Sequence, residues 1–307
     1  MSYQTTTSNA LNRRPLVLGE VLYDHFPDGS KVLGGAPFNV AWNLRGFGLN
    51  PLMLSAVGND ASGQEILGRI HAWGMSTSGI ECHPQHPTGA VKVSNPSTDP
   101  SYDILENRAY DFIHPPAFPI RSEEYGIFYH GSLAYRSPQT RDTILRIREQ
   151  SGLKVFLDIN IRRPWFKKAW LPRLLNGVTW LKLNLDELAA LSGSKPDSEA
   201  WVHDQSMAVM EHHEIPYLLV TDGSRGAHFV KRSGDHAFAE AGRAEPFIDS
   251  VGAGDAFASV CIFGIQHGWD LQTILQRAVG FAAKVCQMQG ATTLEKDFYK
   301  NDWNSSE

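Results

Sequence analysis

The stretch DSVGAGDAF, residues 249–257, combines a turn of small residues with an aspartate at the start of an apolar run. Gly252, Ala253 and Gly254 have little or no side chain, so the backbone can turn sharply and approach another group closely. The following residues, AFASVCIFGIQHG, have the length and apolar character of a buried helix, which puts the turn at a helix N-terminus. Unpaired N–H groups at such an end favour an anion, for example a phosphoryl group.

Asp255 is the residue in this turn that does not suit a bound anion, because its carboxylate would repel a phosphoryl group. Its presence makes sense if the carboxylate takes a proton from a nucleophile that attacks phosphorus. The other interpretation is that Asp255 caps or charges the first helical turn, as aspartate often does. The stretch alone does not separate the two interpretations.

Polar residues also follow strand-like runs, and open α/β sheets bind ligands at the carboxyl ends of their strands. Asp24 follows VLGEVLY and could accept hydrogen bonds from the vicinal hydroxyls of a polyol, or could lie in an ordinary turn at a strand end. In GGAPFNV, Gly34 and Gly35 let the backbone lie close to a ligand, and Asn39 offers both a donor and an acceptor. A tight strand-to-helix turn would need the same glycines.

Asn160 and Arg162 follow the strand-like run LKVFL in DINIRRPW. On an extended segment their side chains point the same way, and Pro164 prevents a helix from starting at once. Arg162 could donate to a sugar oxygen or to phosphate, or it could be an ordinary surface arginine.

Two further stretches allow both a functional and a purely structural interpretation. In LNLDEL, Asn184 and Glu187 share a helix face and could organise water around Mg²⁺, or they could form a capping box. In TDGSRGAHF, Thr221, Gly223 and Gly226 form a tight polar turn that could face a nucleotide, or could simply connect a hairpin.

The elements that position these residues alternate between short apolar runs and longer helix-like segments, which predicts an α/β fold with a mostly parallel sheet. The predicted strands are PLVLGEVLYDHF, LMLSAVG, GIFYHGS, LKVFLDIN, WLKLN and PYLLVTDG. PFNVAWNLRGFG is predicted to be a helix that ends at Gly46 or Gly48, and ASGQEILGRIHAWG one that stops at Gly74. Right-handed crossovers place helices on both faces of the sheet.

Residues 88–113 break this rhythm, because they alternate apolar and polar residues around a Pro/Ser/Asp turn. This pattern predicts a β-hairpin with one wetted face, to which residues 26–35 could add a strand. We expect the hairpin to project from the body as a lid, a dimer surface or both. No linker or repeat divides the chain, so we expect one domain over residues 1–307.

Composition excludes several classes of function. The net charge is −5 and the pI about 6.2, without a basic stripe, so nucleic acid and anionic membranes are poor partners. No apolar run approaches the roughly 18 residues of a membrane span, and the polar start lacks the apolar core of a signal peptide. The three cysteines show no CxxC spacing and two of them lie in apolar, helix-like stretches, so we expect buried free thiols rather than disulfides, and a cytoplasmic setting. The motifs of P-loop enzymes, protein kinases, α/β-hydrolases and HExxH metalloproteases are absent from the sequence.

Taken together, these stretches resemble the ribokinase-like carbohydrate kinases of the PfkB family. GGAPFNVAWNLRGFG, with Gly58 beyond it, is similar to the N-terminal signature of that family, and DSVGAGDAF to its C-terminal signature. NLDE resembles its magnesium-associated N-x-x-E, and TDGSRGA its nucleotide-facing T-x-G. The resemblance extends over residues 16–292, and GEVLYDHFP, GGAPFN and DINIRRPWF look most like bacterial fructokinases. Val260 departs from the pattern, because the family prefers Gly or Ala there.

The resemblance implies a three-layer ribokinase-like sandwich with a small hairpin lid, and ATP-dependent phosphorylation of a sugar. Fructose is the acceptor it favours; 2-keto-3-deoxygluconate, ribose or a nucleoside are alternatives, and a non-catalytic sugar-binding regulator is another. Asp255 would be the general base, and the N–H groups of Gly252, Ala253 and Gly254 would form an anion hole. The implied sugar contacts are Asp24, Gly34, Gly35, Asn39, Asn160 and Arg162.

The resemblance also assigns the nucleotide and the ions. The residues that would flank ATP are Asn184, Thr221, Gly223 and Gly226. Asn184 and Glu187 would hold Mg²⁺ through water, and a K⁺ site would lie at Asp249 and the carbonyl of Val251. Closure of the 88–113 hairpin over the sugar would exclude water, and the same hairpin could pair two copies into a homodimer.

Overall fold

The computed structural model describes residues 13–94, 101–196, 198 and 200–300. In chain order the strands are β1 (Arg14–Leu18), β2 (Leu22–His25), β3 (Lys31–Gly34), β4 (Leu52–Gly58), β5 (Ile80–His83), β6 (Gly89–Ser94), β7 (Ser101–Ile104), β8 (Tyr125–His130), β9 (Lys154–Asp158), β10 (Val178–Asn184), β11 (Tyr217–Thr221), β12 (Gly226–Lys231) and β13 (His236–Glu240). The helices are α1 (Ala36–Gly46), α2 (Ala61–Ala72), α3 (Pro138–Ser151), α4 (Leu171–Leu175), α5 (Leu185–Ser192), α6 (Trp201–His213), α7 (Ala253–Gln266) and α8 (Leu271–Val285).

The large sheet has nine strands in the order β13-β12-β11-β10-β9-β8-β1-β4-β5. The neighbours from β11 to β5 pair in parallel, whereas β12 and β13 pair antiparallel at one edge. The predicted mostly parallel sheet is therefore confirmed. Strands β5, β12 and β13 were not predicted.

Helices cover both faces of the large sheet, so its strands carry apolar residues on both sides. Val17 of β1 faces a core formed with α1, α7 and α8, whereas its neighbours Leu16 and Leu18 face a second core that includes residues of α3 and α6. Val260, where the sequence departs from the family pattern, is only 1% exposed and packs in the first core.

The small sheet has four strands in the order β3-β2-β6-β7. Strands β6 and β7 form the antiparallel hairpin predicted within residues 88–113, with Val91 opposite Ile104; residues 95–100 lie outside the described residues. Residues 26–35 do add a strand, β3, but it pairs with β2 rather than with the hairpin. Strand β2 joins the two halves, because it pairs in parallel with β6.

Three sequence predictions need correction here. PLVLGEVLYDHF is not one strand, because the chain leaves the large sheet after β1 and enters the small sheet at β2. Asp24 therefore lies inside a strand of the small sheet and not in a turn at the end of one. Of the cysteines, which are free, Cys261 is buried as expected, whereas Cys286 is half-buried and Cys82 exposed.

Helix ends agree better with the sequence. Helix α1 ends at Gly46, and α2 ends at Ala72, two residues before the predicted stop at Gly74, where φ is 79°. In the described parts of the chain, no helix is long and apolar enough to cross a membrane.

Candidate active site

The turn before α7 adopts the conformation that its small residues allow. Gly252 has a φ of 80°, and a Cβ there would lie 2.2 Å from the Cβ of Ala291, so only glycine fits. No side chain among the described residues caps the start of α7. The N–H of Ala253 donates to the carbonyl of Ser250 at 3.2 Å, so it would have to leave that bond to join an anion site with Gly254.

Asp255 lies in the first turn of α7 and is held by a side chain from α1. Its Oδ2 accepts a hydrogen bond from Nδ2 of Asn39 at 2.8 Å. Burial raises the pKa of Asp255 to about 6; the Asp158 charge adds to this rise, while the Asn39 bond and the charges of Lys182 and Arg162 oppose it. The carboxylate is thus mostly ionised near pH 7, as a proton acceptor must be.

Asn39 was predicted to contact the acceptor, and the structure places it against the predicted base. Its side chain is buried, 4% exposed, and its Oδ1 has no hydrogen-bond partner in the described part of the chain. The amide therefore donates to Asp255 on one side and retains an acceptor on the other. Such a group can orient a carboxylate and a ligand hydroxyl together.

A buried ion pair lies beneath the turn. Nζ of Lys182, on β10, donates to Oδ2 of Asp158, at the end of β9, at 2.8 Å, and both side chains are almost fully buried. Burial alone would lower the pKa of Lys182, but the neighbouring Asp158 carboxylate outweighs it and raises that pKa. A Cβ placed on Gly254 would lie 3.5 Å from this Nζ, so a positive charge lies directly behind the small-residue turn.

Asp24 and Arg162, both predicted acceptor contacts, are close enough for their charges to interact. Burial raises the pKa of Asp24 to about 6, and the charge of the exposed Arg162 lowers it. Gly34 lies on the neighbouring strand, where a Cβ would be 3.6 Å from Oδ2 of Asp24. Gly35 has a φ of 112°, and a Cβ there would lie 2.5 Å from the carbonyl oxygen of Glu20. Glycine at 35 thus lets the start of α1 lie against the segment between β1 and β2.

Asn160 corrects one sequence argument. Its φ is 40°, so the segment from Asn160 to Arg162 is not extended, and the alternation expected of the two side chains does not apply. The backbone N–H of Ile161, between them, donates to Oε1 of Glu187 at 2.6 Å. The loop after β9 is therefore attached to the start of α5.

Asn184 and Glu187 form the capping box that one interpretation predicted. Oδ1 of Asn184 accepts from the N–H of Glu187, and Oε2 of Glu187 accepts from the N–H of Asn184, both at 2.8 Å. Burial raises the pKa of Glu187, and the charge of Asp158 adds to the rise. Thr221 lies directly opposite Asn184 in the pairing of β10 with β11, so two of the four predicted nucleotide residues are neighbours.

The other predicted nucleotide residues form a hairpin turn between β11 and β12. Gly223 has a φ of 55° with open space around it. Gly226 has a φ of 133°, and a Cβ there would lie 2.0 Å from the carbonyl oxygen of Ala239 on β13. Glycine at 226 is thus required by strand pairing, while its role towards a nucleotide stays a prediction.

The predicted K⁺ site lies on the loop before α7. Oδ1 of Asp249 accepts from the N–H of Val251 at 3.0 Å and Oδ2 from the N–H of Gly290 at 3.4 Å, while Val251 is 42% exposed. The carboxylate therefore orders its own loop, and its role towards a cation stays a prediction.

Comparison with known proteins decides the family. The model of the pfkB family carbohydrate kinases matches residues 8–297. The chain belongs to this family. It is a carbohydrate kinase, that is, a phosphotransferase, and the resemblance read from the sequence is confirmed.

Several relatives share the length of this PfkB chain. It is 28% identical to the fructokinase of Escherichia coli over 266 residues, covering 81% of this chain and 83% of that one. It is 27% identical to the 2-dehydro-3-deoxygluconokinase of Bacillus subtilis over 286 residues, covering 87% of this chain and 86% of that one. The relatives therefore differ in acceptor at nearly equal identity.

Solved structures share the ribokinase-like fold. A Vibrio cholerae fructokinase with fructose, ADP and calcium ion bound has a TM-score of 0.76 at 21% identity, covering 94% of this chain and 98% of that one. The aminoimidazole riboside kinase of Salmonella enterica has the same TM-score at 20% identity, covering 94% of this chain and 99% of that one. The predicted fold class is confirmed.

Sequence reasoning missed three charged residues of this kinase. Asp158 and Lys182 lie inside the apolar strand runs LKVFLDIN and WLKLN, and Glu20 in VLGEVLY. A charge inside an otherwise apolar run was the signal available, because such residues are rarely buried without a partner. Glu20 is 4% exposed and its Oε2 has no partner in the ranges described; burial raises its pKa to about 7.

Proposed function

We propose that this chain transfers the γ-phosphoryl group of ATP to a hydroxyl of a small sugar, with fructose as the acceptor. The observation that carries the proposal is Asp255, a carboxylate held by Asn39 at the start of α7 beside a turn of small residues. A base and an anion-binding turn at one helix end suit attack of a hydroxyl on phosphorus.

Asp255 takes the proton from the acceptor hydroxyl in this proposal. A pKa of about 6 leaves it ionised at neutral pH and still basic enough to accept the proton in the transition state. The Asn39 amide fixes its orientation, so that the base need not be ordered when the acceptor binds.

The turn stabilises the charge on the transferred phosphoryl group. The N–H groups of Gly252 and Gly254 would donate to it, and Ala253 would join them on releasing Ser250. The charge of Lys182 behind Gly254 favours an anion in the same place.

Asp24 and Arg162 bind the acceptor, with Gly34, Gly35 and Asn160 shaping the backbone around it. A carboxylate and a guanidinium offer acceptor and donor groups to neighbouring hydroxyls of a polyol. Relatives named fructokinase support fructose, while the dehydrodeoxygluconokinase and riboside kinase relatives keep other acceptors as outcomes of the test.

The oxygen atoms of Asn184 and Glu187 suit a hard cation approached through water. Each carboxylate oxygen of Glu187 accepts one backbone N–H and keeps a lone pair for a bound water. Mg²⁺ at this place would neutralise charge on the ATP phosphates, beside Thr221 and the turn with Gly223 and Gly226. We keep K⁺ at Asp249 and the carbonyl of Val251 as part of the proposal.

The small sheet would act as the lid over the sugar. It carries Asp24 on β2, and its edge strand β7 exposes Tyr102, which is 52% exposed. An edge strand readily pairs with another copy, so a homodimer through this sheet is the expected assembly, to be checked by light scattering.

A cytoplasmic location completes the proposal.

The test is a coupled ADP-release assay with ATP and Mg²⁺, offering fructose, ribose, 2-keto-3-deoxygluconate and adenosine separately. We expect turnover with fructose and its loss in D255N, while D204N, an exposed change on α6, keeps wild-type turnover. Turnover with a different acceptor would move the substrate assignment. Sugar binding without ADP release by the wild type would support the non-catalytic regulator instead.

A further inference from the structure

A second buried ion pair lies outside the residues assigned to the active site. Arg136 follows β8, and Asp111 lies in a short helix, Ala109–Phe112, beyond β7. Nε donates to Oδ1 at 2.8 Å and Nη2 to Oδ2 at 2.9 Å, with the side chains 7% and 6% exposed. Two parallel bonds of this kind fix the direction of a guanidinium as well as its place.

Arg136 contacts more than its ion-pair partner. Nη2 also donates to the carbonyl of Leu105 at 2.7 Å and to the hydroxyl of Tyr110 at 2.9 Å. The guanidinium lies over the ring of Trp165, 4.8 Å from its centroid. One side chain therefore joins the segment after β7, the segment after β8 and the loop after β9.

A cavity of about 500 Å³ lies among these same segments. Its walls include Glu106, Asp111, Arg136, Trp165, Lys167 and Trp170. Side chains do not fill the space, so close apolar packing does not join the segments there. The polar and ring contacts of Arg136 bridge these segments beside the cavity, while Trp165 and other apolar residues of the loop also pack against the second core.

Two of the contacts of the loop after β9 lie on either side of Arg162. The carboxylate of Glu187 holds the N–H of Ile161, and Arg136 holds the ring of Trp165. Arg162, the proposed acceptor contact, lies between those points. The segment that leaves the small sheet after β7 is held by the same guanidinium through Leu105.

We propose that Arg136 is a positioning residue for the acceptor: it fixes the loop that carries Arg162 and ties it to the end of the small sheet. This inference rests on the proposed function of Arg162. Arg136 itself touches neither the acceptor nor the base; it acts through Trp165 and Asp111. The expected effect is therefore on acceptor binding and not on the chemical step.

The test compares Arg136, just before α3, with Arg148, a partly buried arginine in the last turn of α3. R136K keeps the charge beside Asp111 but loses the planar fork that reaches several acceptors at once. R148K is the matched control, because Arg148 on α3 donates to the carbonyls of Leu174 and Asn176, away from the loop. We expect R136K to raise the acceptor KM roughly tenfold, with kcat and the ATP KM within roughly twofold, and R148K to leave all three unchanged.

Hydrogen–deuterium exchange gives a readout that needs no substrate. R136K should speed exchange of the amides of residues 159–166, and R148K should not. W165L, which removes the ring and leaves the ion pair, should act like R136K, so the inference survives a misfolded R136K. Equal thermal destabilisation by R136K and R148K, without a change in acceptor KM or loop exchange, would overturn it. Failure of the wild type to turn over any acceptor would instead count against the proposed function.

Discussion

Nδ2 of Asn39, on α1, donates to Oδ2 of Asp255, on α7, across a 2.8 Å hydrogen bond between residues 216 positions apart. Both of these residues come from the two family signatures, yet nothing in either stretch shows that they touch. The contact joins α1 to the start of α7, and in the proposed function this one amide would orient the group that removes the proton.

Asn39→Leu should impair the base without removing it. The Asn39 bond lowers the pKa of Asp255, so its loss raises that pKa and moves the acid limb of the pH–rate profile to higher pH. We expect kcat/KM at pH 7 to fall by roughly tenfold. Profiles of kcat/KM between pH 5 and 9 measure this, and an unmoved acid limb would contradict the role of Asn39.

Glu20→Gln should stabilise the protein at alkaline pH. The pKa of Glu20 is raised from 4.5 to about 7, so the folded protein holds this proton more tightly than the unfolded chain. Stability is therefore lost as the pH rises through that interval, by up to about 3 kcal/mol. Thermal unfolding should show a larger gain for E20Q at pH 8 than at pH 5, with exposed E106Q as the control showing equal effects at both.

Lys182→Met should be strongly destabilising, because it leaves Asp158 charged and buried without its partner. The expected loss is about 3–5 kcal/mol. The double variant K182M/D158L removes both charges and should recover much of that stability. Chemical denaturation measures both variants; a double variant no more stable than K182M would show that the pair is not the reason.

Gly252→Ala and Gly254→Ala form a matched pair two residues apart in the same turn. A Cβ at Gly252 meets the Cβ of Ala291 at 2.2 Å and sits at a φ of 80°, whereas a Cβ at Gly254 meets its nearest neighbour at 3.5 Å. We expect G252A to lose about 1–3 kcal/mol of stability and G254A to stay near wild type. Thermal unfolding compares them, and equal losses would mean that the turn is not sterically restricted.

The sequence predicted correctly those features of the structure that depend on residues close to one another in the chain. The apolar runs of β4, β8, β9, β10 and β11, the end of α1 at Gly46 and the capping box of Asn184 with Glu187 all follow from residues close in sequence. The sequence does not reveal that the first apolar run is interrupted between β1 and β2, because Val21, which lies between the two strands, is as apolar as a strand residue.

Pairing between residues far apart in the sequence explains the remaining differences between the predicted and the observed structure. The small sheet depends on the pairing of β2 with β6, in which Leu22 lies opposite Gly89, and no local pattern encodes that partner. The Lys182–Asp158 pair likewise exists only because β9 and β10 are neighbours. At Asn160, a left-handed backbone replaced the extended one that the sequence argument assumed.

The β2–β3 segment of the small sheet begins and ends at almost the same place, between β1 and α1. A Cβ on Gly35 would lie 2.5 Å from the carbonyl oxygen of Glu20 and 3.3 Å from Cα of Val21, so the ends of this excursion meet. A peptide with adjoining ends can be exchanged as a cassette without re-routing the chain around it. The strands that carry Asp24 and Gly34 could therefore be grafted from one family member to another, and under their proposed role acceptor choice would become a transplantable property of a short segment.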